Sequence, residues 1–213
     1  MRLLGSRSRA FPKEVARANK STLRALGASA LSAPLALIEV TYQGKRLSFP
    51  YRVYYSIDLV DEAIMGSGDS SIVAACLGSR HKDGFLRQRC VEALLRHPRP
   101  WSAPYLMEAL DERPVQILEA VAGQIPPELL SPLANFAVEN EPRFLSLCYR
   151  SVSLWNEFYR YPGAGVHVPW REYPGARLIA EITAAARAIA PRFATKSQGA
   201  IPNGGLRPFD SRP

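Results

Sequence analysis

Between Ser70 and Arg160 the apolar residues recur at intervals of three and four positions, the period of amphipathic helices. Ile72, Val73, Cys76 and Leu77 form one such face, and Leu86, Cys90, Val91, Leu94 and Leu95 the next. Tyr105, Leu106, Ala109 and Leu110 follow, then Ile117, Leu118, Val121 and Ile125. Leu129, Leu133, Phe136 and Ala137 make a fifth face, and Leu145, Tyr149, Val152 and Trp155 a sixth. Pro98, Pro100, Pro126 and Pro127 punctuate these runs, while Pro114 and Pro142 stand where a helix can begin without losing a hydrogen bond. The pattern predicts six short helices joined by tight turns, that is, antiparallel pairs.

Upstream the period changes to two. Phe49, Tyr51, Val53 and Tyr55 alternate with other residues as in a strand. Val40 to Tyr42 is the expected partner, through a turn at Gln43-Gly44-Lys45 in which Gly44 supplies a positive φ. Pro50 cannot donate to a ladder, so it marks an edge or a bulge. Ser56 or Asp58 is then expected to cap a short helix with Ile57, Val60 and Ile64 on its apolar face. Gly66 to Ser71 reads as a linker whose Asp69 or Ser70 caps the following helix; it lacks the Lys-Ser/Thr ending of a phosphate loop.

The second helices of the pairs recur at about 30 residues, entered at Lys82-Asp83, Glu112-Arg113 and Glu141-Pro142. Pairs of that size cannot bury both faces alone, so they stack. The segment from Asp83 to Leu94 resembles the second helix of a HEAT repeat in Asp83, Leu86, Arg87, Cys90, Val91, Ala93 and Leu94. The later copies depart from that pattern, with Val115-Gln116 where Val-Arg is expected. The resemblance covers about residues 70–159 and implies a protein-binding scaffold, with nucleic-acid binding as the less frequent use. The expected fold is therefore mainly α: a short HEAT-like stack of antiparallel helix pairs, with a small N-terminal β-hairpin and flexible ends. Arg87, next to the core-facing Leu86, is expected beside the seam between repeats, within reach of a carboxylate or carbonyl of the neighbouring pair.

The organisation read from the chain has four parts. Residues 1–35 form a basic, partly helical arm, and 36–66 a hairpin with a short helix. Residues 70–192 make the HEAT-like domain, and 193–213 a disordered tail rich in Gly, Pro and Ser. Within the third part, Tyr161-Pro-Gly-Ala recurs as Tyr173-Pro-Gly-Ala around Trp170, which predicts a turned loop lying on the stack. Leu178, Ile179, Ile182, Ala186 and Ile189 give a last helix, expected to cap the open end.

Charge changes this picture only at the ends. The net charge is +8, yet residues 1–50 hold nine Lys/Arg against two acids and residues 101–150 three against seven. The basic start is read either as an arm for an acidic partner, a nucleic acid or a membrane surface, or as an Arg- and Ser-rich targeting peptide. Cys76, Cys90 and Cys148 lack metal or redox spacing and read as buried thiols, which favours a reducing, cytoplasmic location. No run of about 18 apolar residues suggests a membrane span. The three histidines, His81, His97 and His167, sit in no catalytic motif, and no cofactor signature or metal-ligand set is read.

These observations lead to a non-catalytic interaction scaffold or adaptor that binds a protein partner along the helical stack. The candidate contact residues are Arg2, Arg7, Arg9, Lys13 and Arg17 in the arm, and Tyr161, His167, Trp170 and Tyr173 in the loop. One alternative is nucleic-acid binding through the arm. The other is an enzyme whose site is not readable from motifs, with Asp83, His81 or Glu119 as its residues.

Overall fold

The computed structural model describes residues 9–27, 36–163 and 166–193. Helix α1 (Ala16–Gly27) follows a 3₁₀ turn, and a two-stranded antiparallel hairpin, β1 (Leu37–Tyr42) and β2 (Lys45–Pro50), comes next. The six helices expected between 70 and 160 are α3 (Asp69–Gly78), α4 (Gly84–Arg96), α5 (Ala103–Met107), α6 (Val115–Val121), α7 (Pro127–Glu139) and α8 (Glu141–Leu154). They are preceded by α2 (Ile57–Ile64) and followed by α9 (Pro174–Ile189). Among the described residues the chain is thus mainly α with one small hairpin.

The hairpin turn falls at Gln43 and Gly44, where Gly44 has φ +71°. The second strand, however, is Lys45–Pro50, not the expected Phe49 to Tyr55. Pro50 stands opposite Leu37 at a position whose backbone nitrogen faces away from β1, so its missing N–H costs no ladder bond, and Tyr51 N–H still donates to the Ala36 carbonyl at 3.0 Å. Val53 then pairs in parallel with His81: its N–H donates to the Arg80 carbonyl at 2.8 Å, and Lys82 N–H returns to Val53 at 3.1 Å. The alternation of Tyr51, Val53 and Tyr55 therefore reflects a chain laid across the turn between α3 and α4.

Helix α3 is buried from Ser71 to Gly78, because α1, α2 and α4 pack around it. At Gly78 a Cβ would lie 2.4 Å from Cys90 Sγ and 2.8 Å from Val60 Cγ1, so only glycine lets the three helices approach this closely. The N-cap of α3 is Gly68 rather than Asp69 or Ser70; the Asp69 carboxylate pairs with Arg99 instead. In α4 the cap is as expected: Asp83 accepts from Leu86 N–H at 2.8 Å, and Leu86, Cys90, Val91 and Leu94 are buried.

The helices do not follow the simple succession of pairs expected from the sequence. Helix α4 lies beside α6 and α5 against α7. Helix α9, expected as a cap on an open end, instead packs along α7 and also touches α6 and α8. It thereby takes the place beside α6 that α8 would hold in a regular repeat. Nor do the expected boundaries at 35/36 and 66/70 separate cores: Phe11, Leu47, Val60 and Leu86 belong to one buried cluster. Phe193, placed in the tail by its composition, is buried against Phe144; the rest of that tail lies outside the described residues.

The joint between α7 and α8 holds the hairpin. Asn140 Oδ1 accepts from Thr41 N–H at 2.8 Å, and its Nδ2 donates to the carbonyls of Thr41 at 2.7 Å and Phe136 at 2.9 Å. The neighbouring Glu139 carboxylate accepts from the N–H groups of Gln43, at 2.9 Å, and Gly44. Two consecutive side chains thus bind a turn and a strand almost a hundred residues away.

Candidate functional site

A turn between α5 and α6 carries three acids, Glu108, Asp111 and Glu112, and each meets arginine from elsewhere in the chain. Glu112 is buried and receives three guanidinium groups. Arg87 Nε donates to it at 2.7 Å, Arg52 Nη1 at 3.1 Å and Arg80 Nη1 at 3.3 Å. Arg80 is only 1% exposed; its Nη2 donates to the Tyr51 carbonyl at 3.1 Å, and the Tyr51 ring lies beneath both Arg80 and Arg52. Burial lowers the Arg80 pKa, an effect that Glu108 and Glu112 oppose and Arg52 reinforces. Glu108 binds Arg143, and Asp111 binds Arg150 at 2.7 Å.

This network sets the distance between α4 and α6. Arg87 leaves the first turn of α4, and Glu112 stands just before Pro114, the N-cap of α6. The two helix starts abut, since a Cβ on Gly84 would lie 3.4 Å from Pro114 Cγ. Arg87 Nη1 also donates to the carbonyls of His81 at 2.9 Å and Lys82 at 2.8 Å, which ties the end of the preceding turn to the same point. The sequence expectation for Arg87, a carboxylate or helix-end carbonyl of the neighbouring pair, is met by Glu112; the His81 and Lys82 carbonyls belong to the turn of its own pair.

Beyond the network, α4 and α6 border an open groove of about 680 Å³. Gln88, Glu92 and Leu95 line it from α4 at spacings of four and three, and Gln116, Glu119 and Ala120 from α6. Gln88 Nε2 donates to Glu92 at 3.0 Å. One turn before Gln88, at the start of the same helix, Phe85 is 77% exposed. With Arg96 and Gln124 also lining it, the groove offers two carboxylates, three amides and one guanidinium beside small apolar patches. Such a surface accepts hydrogen bonds from cationic or amide donors and holds aliphatic stems between them.

The residues considered for catalysis are not gathered here. His81 is fully buried and both ring nitrogens are occupied: Nδ1 accepts from Asp83 N–H at 3.0 Å, so Nε2 carries the proton that goes to the Tyr55 carbonyl at 3.1 Å. The Asp83 carboxylate caps α4, and Glu119 stands in the groove on α6. Among the described residues no group of three or more His, Cys, Asp or Glu side chains could hold a metal ion. Among them, too, no helix is long and apolar enough to cross a membrane.

The candidate contact residues divide. Arg2 and Arg7 lie outside the described residues, while Arg9, Lys13 and Arg17 are exposed. Tyr161 and His167 are exposed on the loop, their rings 5.3 Å apart. Trp170 and Tyr173 are turned inward, 6% and 1% exposed, and are corrected here from contact residues to packing residues. Trp170 meets Trp155 edge-on at 5.6 Å, and Trp155 Nε1 donates to the Val168 carbonyl at 3.0 Å, so the loop is anchored to the end of α8. Burial and the Tyr159 ring beside it raise the Tyr173 pKa.

The groove residues escaped sequence reasoning because Gln88, Glu92, Gln116 and Glu119 read as the solvated faces of two amphipathic helices. The available signal was Phe85, an aromatic residue on the polar side of α4. Comparison of the chain with family models, with curated proteins and with solved structures finds no match in any of the three.

Proposed function

We propose that this chain is a non-catalytic interaction protein that holds a protein partner along the α4–α6 groove of a HEAT-like helical body. The observation that carries the reading is the groove itself, bordered by two neighbouring helices whose starts are locked by the Glu112 network. The HEAT likeness is supported by the Asp83 to Leu94 pattern and by α4 and α6 lying side by side. The chemistry of the groove suits a partner segment with Lys or Arg side chains: Glu92 and Glu119 outnumber the one lining cation, Arg96, and Gln88, Gln116 and Gln124 supply orienting amides, while Phe85 is exposed one turn before Gln88 on the same helix.

The test is affinity purification with the full chain and with a Glu92→Lys, Glu119→Lys variant. The charge-reversed groove should lose a partner that the parent retains, while its melting temperature stays within a few degrees, since Glu119 is exposed and, among the described residues, the side chain of the half-buried Glu92 has only Gln88 as a hydrogen-bond partner. Retention of the same partners by the variant would overturn the reading. So would robust turnover by the parent chain in an activity screen.

A further inference from the structure

Helix α1 presents a second surface of opposite character. Arg17, Lys20 and Arg24 are spaced by three and four residues, which places them one above another on a face of α1, and Lys13 stands four residues before Arg17 in the 3₁₀ turn that leads into the helix. All four are exposed. The opposite side, Val15, Asn19, Thr22, Leu23 and Leu26, is buried in the core. At about 1.5 Å per residue the stripe is roughly 16 Å long. Arg52, Arg80, Arg87, Arg89, Arg99, Arg143 and Arg150 all have acidic partners; among the described residues none of the four cations of the stripe has one.

The stripe is also held still. Phe11 stacks on Tyr105 at 5.1 Å and meets Trp101 edge-on at 5.8 Å. Tyr105 Oη donates to the Ala10 carbonyl at 2.8 Å. The expected flexible arm is thus, from residue 10 onward, docked on the body with its cations facing out. Glu14, the acid of this segment, lies to one side, where its charge acts on Tyr42 in the hairpin.

We infer that this face of α1 binds the phosphate backbone of a nucleic acid, a function separate from that of the α4–α6 groove. A row of unpaired cations with a fixed spacing is complementary to a row of phosphates and loses little side-chain freedom beyond that of the four tips. The apolar side of α1 is committed to the core, so the helix has nothing to bury in a lipid surface in the manner of an interfacial amphipathic helix. Phe11, the aromatic residue of the segment 9–27, is buried, so no ring is presented for stacking on bases. The contact is therefore to phosphates and is indifferent to base sequence.

The experiment is fluorescence anisotropy with the full chain, a short duplex DNA of mixed sequence, and single strands of DNA and RNA. Four phosphate contacts give a salt slope of about −3.6 on a duplex, hence a loss of roughly 150-fold in affinity between about 50 and 200 mM salt, and about 50-fold on a single strand. A Lys20→Glu, Arg24→Glu variant should abolish binding with an unchanged melting temperature, whereas an Arg2→Gln, Arg7→Gln variant should retain most of it. Which of the three strands binds best assigns the nucleic acid. Loss of binding by the second variant and not the first would overturn the assignment to this face. Binding as tight to phosphatidylserine vesicles or to polyglutamate, or no salt-dependent binding to any strand, would overturn the nucleic acid itself.

Discussion

Replacing Arg87 by alanine removes one of three guanidinium groups from a buried carboxylate, and its neighbour Arg89 supplies the internal comparison. The Arg87 side chain is 8% exposed and makes three hydrogen bonds, one to Glu112 and two to backbone carbonyls. Breaking a buried ion pair by removing one partner costs about 3–5 kcal/mol, chiefly because the other charge is left alone. Glu112 keeps Arg52 and Arg80, and the loss of one cation also relieves repulsion among the three, so the lower figure of about 3 kcal/mol applies. Arg89 pairs with Asp61 at 2.6 Å, but the two side chains are 43% and 35% exposed. A pair so wetted is worth about 0.2–1 kcal/mol. At about 2–4 °C per kcal/mol for a chain of this size, Arg87→Ala should lower the melting temperature by roughly 6–12 °C, and Arg89→Ala by no more than about 4 °C. Thermal unfolding followed by circular dichroism measures both. Equal melting temperatures for the two variants would show that the Glu112 network does not hold α4 to α6, and the account of the groove would fall with it.

Three further outcomes follow from the same geometry. Glu112→Gln keeps the shape of the side chain but leaves Arg80 and Arg87 buried without a counter-charge, so its urea midpoint should fall further than that of Arg87→Ala; a smaller fall would refute the electrostatic account. His81 has its pKa lowered by burial, so the unfolded chain takes up a proton near its usual pKa of about 6.5 while the folded chain resists it. This contribution to stability is complete above that pH and declines on acidification below it, with a slope of at most about 1.4 kcal/mol per pH unit, and His81→Gln should flatten that limb of the stability–pH curve. Burial pushes the thiols of Cys90 and Cys148 up to about 12 and that of Cys76 upward as well, so none should react with a thiol reagent at mildly alkaline pH until urea unfolds the chain. Rapid labelling of the native protein would contradict the burial described for them.

Local pattern carried much of the fold. The helical period from Ile72 to Trp155 marked α3 to α8, Gly44 marked the hairpin turn, and the pair Leu86-Arg87 pointed to a core residue beside a seam. What stayed hidden depends on partners distant in the chain. The strand expected at Phe49 to Tyr55 was misplaced because Val53 finds its pairing at His81, which no alternation can indicate. Asp69 looked like a cap and became an ion-pair partner of Arg99. Helix α9 was legible as a helix, yet its period says nothing about which helix it accompanies, and so its place along α7 was not. The candidate site shows the same division. Lys13 and Arg17 stood out as charge, but that they share an exposed face with Lys20 and Arg24 became visible only when the other side of α1 was seen buried.

The Asn140 side chain has a consequence for how the molecule behaves at high concentration. A two-stranded sheet has two open edges, and each is a template on which another chain can add a strand. On β1 the outward N–H and C=O of Thr41 are both engaged by the one amide group of Asn140. Farther along the same strand, Glu39 is paired across the ladder with Arg46, which places charge beside the remaining edge. The amide imitates one residue of a third strand and stops there, so the edge is occupied without being extended. Loss of that single side chain would expose a strand edge next to the apolar core residues Ile38 and Val40, and the variant would be expected to self-associate before it unfolds.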